Sequence, residues 1–162
     1  MNLYNPYAPS TRAFNYGVPD VPYAVLNGGA TPEHRYTLIP PDGVLDDDIL
    51  IESALEVPDF DLSLSVDYQA DQLSGTVLVT CLNDSVESNI QLYIIVLERM
   101  VTSYPQLNEA GFRNVVLDII PSPTGKLLGN NWSDGTSVNF EFDWEYVSYI
   151  EDAEDLLVVA FV

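Results

Sequence analysis

The chain has 162 residues, 47% hydrophobic and 11% aromatic, enough for a sizeable core in one domain or two small ones. Five Lys and Arg stand against 25 Asp and Glu, a formal net charge of −20. That balance argues against nucleic acid and anionic membrane surfaces as partners, since both need a positive footprint, and the aromatic content excludes a disordered acidic tail.

No apolar run approaches the ~18 residues of a membrane span. The opening Met1-Asn2-Leu3-Tyr4-Asn5-Pro6 lacks a basic start and an apolar stretch, so it does not read as a signal peptide. Residues 1–57 carry net charge −6 and the one helix-like pattern; residues 58–162 carry −14 and read as strands throughout. Tyr23-Ala24-Val25-Leu26 is a short strand closed by the turn signal Asn27-Gly28-Gly29. His34, the sole histidine, lies in a loop-like stretch, and a Ser-His-Asp or Cys-His device would have to use it. A surface loop is the expected reading. Pro40-Pro41-Asp42-Gly43 is another turn.

Asp46-Asp47-Asp48 precedes Ile49-Leu50-Ile51-Glu52-Ser53-Ala54-Leu55-Glu56, and acids there favour a helix N-terminus. The spacing predicts a helix over 45–56, with Leu50, Ala54 and Val57 on one face and Pro58 as its stop. As a metal site the triplet fails, because consecutive acids do not share a face and the calcium-loop spacing is missing.

In the second part, Leu62, Leu64, Val66 and Tyr68 alternate with Asp61, Ser63, Ser65 and Asp67. Ser74-Gly75 reads as a turn leading into Thr76–Leu82, which makes a hairpin. Ile90–Glu98 is apolar enough to be central, and Phe112–Ile120 ends at Pro121-Ser122-Pro123. Val138, Phe140, Phe142, Trp144 and Tyr146 alternate with Asn139, Glu141, Asp143 and Glu145, giving a buried aromatic face and a wet acidic one. Leu156–Val162 is the sixth strand. Six strands predict an immunoglobulin-like antiparallel sandwich with its seventh strand missing. Its expected core is Leu64, Val66, Val79, Leu92, Ile94, Val96, Phe140, Phe142 and Trp144.

Few residues offer chemistry. Cys81 is the only cysteine, which rules out an intrachain disulfide, a CxxC pair and a Cys-based zinc site. Its apolar neighbours predict a buried, unmodified thiol. Glu141, Asp143 and Glu145 predict a solvated face, with weak calcium binding as the alternative. Asn131-Trp132-Ser133 and Asn83-Asp84-Ser85 match the Asn-x-Ser acceptor pattern, and Trp132 reads as a lid over the sandwich edge rather than a ligand platform. Neither a phosphate-cradling glycine loop nor Gly-x-Ser-x-Gly occurs. No catalytic, cofactor or metal residue is expected.

The stretch Tyr16-Gly17-Val18-Pro19-Asp20-Val21-Pro22-Tyr23-Ala24-Val25-Leu26-Asn27-Gly28 resembles the part of a thioredoxin fold that carries the cis-proline. The resemblance implies a cis bond at Pro22, and makes the 45–56 helix the last helix of that fold. More widely, Ser10-Thr11-Arg12-Ala13, Ala54-Leu55-Glu56-Val57-Pro58, Phe112-Arg113-Asn114-Val115-Val116, Trp132 and Gly135-Thr136-Ser137-Val138 stand in an order similar to Bacteroidota envelope proteins. Those are related to the outer membrane protein twenty-eight family. They join a thioredoxin-like domain to an immunoglobulin-like sandwich. The resemblance implies a partial thioredoxin-like segment over 1–57 and a sandwich over 58–162.

The expected function is a non-catalytic structural or interaction module at the outer membrane, at the cell surface or outside the cell. The alternative is the C-terminal fragment of a thiol–disulfide oxidoreductase with its cysteines upstream. The apolar end at Leu156–Val162 predicts a piece of a longer chain. It also predicts an edge completed by strand addition, from a protein partner or from other parts of that chain. Residues 1–57, too few to stand alone, are expected to pack on the sandwich or lean on another chain.

Overall fold

The computed structural model describes residues 7–21, 23–29, 32–37, 47–84, 86, 89–102 and 111–162. The molecule is mainly β, with antiparallel sheets and two short helices among these residues. Helix α1 spans Tyr7–Asn15 and α2 spans Asp47–Ala54. Between them, β1 (Tyr23–Val25) and β2 (Arg35–Thr37) form a two-stranded sheet. Seven longer-range strands follow. They are β3 (Phe60–Tyr68), β4 (Gln72–Cys81), β5 (Ile90–Val101), β6 (Phe112–Ile120), β7 (Lys126–Gly129), β8 (Ser137–Glu145) and β9 (Leu156–Phe161).

One sheet has the order β3-β4-β8. Its period-2 pattern is realised as the alternation requires: Phe142 and Trp144 are buried, Phe140 is half-buried, and Glu141, Asp143 and Glu145 are exposed. The other sheet is built on β5. Residues Ile94–Glu98 of β5 pair with both β6 and β9, so β5 is central there. The described residues of 58–162 form seven strands rather than the six expected. The added one is β7, whose four residues pair along Ile90–Leu92 just beyond the β6 pairing. The break between β6 and β7 is a loop over 121–125, with a cis bond at Ile120–Pro121. Gly125 closes that loop at φ +78°, and a Cβ there would meet the Tyr93 ring at 2.7 Å and the Leu92 carbonyl oxygen at 2.9 Å. Only glycine fits such a crossing.

Gly75 is not in a turn. The hairpin turns at Gln69–Asp71, where Gln69 N–H donates to the Gln72 carbonyl at 2.9 Å. Gly75 lies inside β4, opposite Val66 and Phe142. The Phe142 ring occupies the space a side chain would take, so the glycine marks a close approach within a strand.

Buried residues of both large sheets join one hydrophobic cluster: Leu73, Val77, Val79 and Cys81 from β4, Leu92, Ile94 and Val96 from β5, Phe142 and Trp144 from β8. Leu64, Val66 and Phe140 pack against it, partly buried. Each large side chain so buried stabilises the fold by about 1.5–3 kcal/mol. Trp144 also ties the sheets together, its indole N–H donating to Asp118 Oδ2 of β6 at 3.0 Å.

An unbroken apolar run in a central strand needs cover on both faces. Leu92, Ile94 and Val96 of β5 face the shared core. Tyr93 and Ile95 alternate with them, and α1 lies against that outer face. Ala8 is buried, and the Arg12 guanidinium sits 4.3 Å from the Tyr93 ring centroid and 5.8 Å from that of Phe161. The sequence pattern missed α1, whose apolar residues are few. Helix α2 is a shorter version of the expected 45–56 element, and residues 45 and 46 lie outside the described residues. Among them Leu50 and Ile51 of the helix are exposed, as are Leu55 and Val57 just beyond its end. Asn27 Nδ2 donates to Glu56 Oε2 just after it, at 3.0 Å.

Candidate functional site

The surface with the most distinctive construction is the edge strand β9 and the turn that sets it in place. Strand β9 reads Leu156-Leu157-Val158-Val159-Ala160-Phe161, without charge, glycine or proline. Its register with β5 runs unshifted from Tyr93–Phe161 to Glu98–Leu156. Among the described strands it pairs only with β5. Its second edge therefore presents backbone N–H and C=O groups without a strand partner among them.

The other edges of the two large sheets are blunted. Strand β3 alternates with Asp61, Ser63, Ser65 and Asp67, and β8 with Asn139, Glu141 and Asp143. Strand β6 holds Asn114 at φ +54° and a register shift opposite Val96/Leu97. Charges, bulges and irregular backbone all discourage pairing. Strand β9 has none of these devices.

Carboxylates position it. Glu98 sits on β5 with its side chain fully buried. Its Oε1 accepts the backbone N–H groups of Glu151 at 2.9 Å and Asp152 at 2.8 Å. Glu151 Oε2 accepts the N–H of Thr102 at 2.8 Å and its hydroxyl at 3.0 Å. Asp155 Oδ2 accepts the N–H of Met100 at 2.8 Å. Asp152 Oδ1 accepts the N–H of Glu154 at 2.9 Å, capping the 3-10 turn Ala153–Asp155 that feeds into β9. Three acids thus hold the incoming chain against the end of β5, and a fourth caps the turn. Glu98 Oε2 has no hydrogen-bond partner among the described residues. The sequence signal for Glu98 is an acid inside an apolar central strand, in the run Val96-Leu97-Glu98-Arg99.

The residues singled out from sequence fall elsewhere. Cys81 is fully buried, with its Sγ 3.4 Å from the Asn83 carbonyl oxygen. Trp144 is in the shared core. Pro22 lies outside the described residues, as does the 40–43 turn. His34 ends a 3-10 turn, half-buried, and its Nδ1 has no partner among the described residues. Trp132 is a lid: it is buried, bridges to Val86, and meets Phe60 edge-on at 5.2 Å between ring centroids. Asn131 and Asn83 are exposed. Glu141 and Asp143 line a shallow polar depression with Asp67, Ser65 and Thr76. Among the described residues, no group of three or more His, Cys, Asp or Glu is placed to hold a metal ion. Near the same sheet, Tyr146 has its phenol pKa raised, first by burial and then by the charges of Tyr68 and Asp71.

Compared with family models, curated proteins and solved structures, the chain matches none.

Proposed function

We propose that this chain is a non-catalytic interaction module that takes up a partner strand along β9. The observation that carries this reading is the contrast among the described edges of the two large sheets: β9 alone is regular, uncharged and held in register by buried and half-buried carboxylates. Strand addition supplies main-chain hydrogen bonds for affinity, and alternate side chains supply specificity. The half-buried Leu157 and the exposed Val159 are the contacts an added strand would meet on the outer face. The acids at Glu151, Asp152, Glu154 and Asp155 flank the entry and repel an acidic strand, which favours a neutral or basic donor.

The two large sheets around one core support an immunoglobulin-like sandwich over 58–162. The order of motifs supports the resemblance to Bacteroidota envelope proteins related to the outer membrane protein twenty-eight family, and with it a site at the cell surface, in the outer membrane or outside the cell. The donor strand would come from a protein partner or from another part of a longer chain. The alternative, the C-terminal fragment of a thiol–disulfide oxidoreductase with its cysteines upstream, rests on the resemblance of the stretch from Tyr16 to Gly28 to the cis-proline region, and Pro22 lies outside the described residues.

Hydrogen exchange with residue resolution tests the proposal. In the dilute isolated chain, alternate amides of 157–161 face the free edge and exchange fast, while the others are protected by β5. A synthetic peptide of alternating apolar and basic residues should slow the fast set. Val159→Pro should abolish the slowing. Slow exchange at every amide of 157–161 in the dilute monomer would mean the edge is already covered, and would sink the proposal.

A further inference from the structure

A concave space of about 420 Å³ lies between α1 and the outer face of the β5 sheet. Ala8 and Pro9 of α1 form one wall, and Ile95, Val115, Val116 and Ile119 form the other. All six are apolar. Among the described residues, the one charged side chain lining this groove is Arg12, one of only five basic residues in the chain.

Arg12 is held in place by aromatic rings. Its guanidinium lies 4.3 Å from the centroids of both Tyr16 and Tyr93, and it donates to the Tyr16 hydroxyl. Tyr93 in turn stacks on Phe161 at 5.2 Å. A guanidinium carries five N–H donors in a planar fork that matches a carboxylate. Here the Tyr16 hydroxyl is its side-chain hydrogen-bond partner, and no ion pair joins it to an acid among the described residues. In a chain with 25 acids, a cation that forms no ion pair among the described residues and stands at the rim of an apolar groove is a distinctive arrangement.

We infer that this groove binds a free single-chain carboxylate amphiphile, with its alkyl chain along Ile95, Val116 and Ile119 and its head group on Arg12. The volume falls within the range of small-molecule sites, ~300–1,000 Å³, and an apolar lining with one orienting polar group is their usual makeup. A second copy of this chain is a poor occupant, because two bodies of charge −20 repel. The same charge keeps the molecule from anionic bilayers, so the ligand is the free amphiphile rather than a lipid in a membrane. At physiological ionic strength the general repulsion of the carboxylate is screened beyond about 8 Å, and the charged side chain lining the groove among the described residues is Arg12.

The inference is independent of the β9 proposal and is tested by calorimetry on the full chain with dodecanoate and the uncharged dodecanol. Dodecanoate should bind one-to-one with a negative heat-capacity change, the mark of apolar burial. Arg12→Gln should weaken dodecanoate about tenfold while leaving dodecanol unchanged, a loss equal to about 1.4 kcal/mol. Arg12→Gln could also loosen α1, so a second variant is needed. Val116→Glu adds a like charge to the groove wall at an exposed position, and should likewise weaken dodecanoate more than dodecanol. Absence of saturable binding would overturn the inference. So would equal loss of both ligands in both variants, or co-sedimentation with anionic phosphatidylglycerol vesicles in place of binding to free dodecanoate.

Discussion

Removing the Glu98 carboxylate should unfasten β9 from its entry turn. In Glu98→Ala, the N–H groups of Glu151 and Asp152 lose the oxygen that accepts both, now at 2.9 and 2.8 Å. Were each orphaned donor fully buried it would cost about 1–3 kcal/mol, so for these part-buried N–H groups the pair sets an upper bound of roughly 2–6 kcal/mol. One effect works the other way. Glu98 is fully buried and its Oε2 is unpartnered among the described residues, and relieving that desolvated oxygen returns part of the loss. The turn is also near the surface, where water can enter and replace some of the missing acceptor. The expected net destabilisation is about 2–3 kcal/mol.

Urea unfolding followed by tryptophan fluorescence measures this as a lower midpoint at unchanged slope. Hydrogen exchange localises it: the amides of Glu151 and Asp152 should lose protection first, ahead of those in β4. Glu145→Ala is the control. It removes an exposed carboxylate and should shift stability by less than about 0.5 kcal/mol. A Glu98→Ala variant as stable as wild type would refute the reasoning. Lost stability with Glu151 and Asp152 still protected would refute it equally, because the carboxylate would then act through packing alone.

Gly75→Ala should destabilise by about 1–3 kcal/mol through overpacking, because the new Cβ would lie 2.5 Å from the Ser65 carbonyl oxygen and 2.6 Å from the Phe142 ring. A urea midpoint at or above that of wild type would contradict this, and Phe142→Leu in the same chain should recover part of the loss. Tyr146 has a raised pKa in the folded protein, so its un-ionised phenol contributes stability that is complete below the ordinary tyrosine value of about 10 and is lost as pH rises through the higher folded value. Tyr146→Phe should therefore lose stability less steeply than wild type above that pH, read from urea midpoints across an alkaline series; identical slopes would refute the assignment.

The strand pattern was legible in the sequence wherever one face is wet. From Val138 to Tyr146 the polar residues mark one side of the sheet and the aromatics the other, so a period of two fixes both the element and its buried face. Phe112–Ile120 was bounded by Pro121 and Pro123, residues whose backbone cannot continue the ladder. Tertiary structure decided what local pattern cannot encode. Gly75 looks like a turn because glycine marks both turns and close approaches; only the Phe142 ring, brought in by β8 from 67 positions along the chain, distinguishes them. Strand β7 is four residues long, too short for a period to show, and exists because β5 continues past the end of β6. Helix α1 has little apolar signal of its own and is placed by the second apolar face of β5. The acceptor role of Glu98 likewise appears only when the 151–155 turn returns to it across more than fifty residues. In each case the deciding contact is non-local, and a sequence records the two partners without recording that they meet.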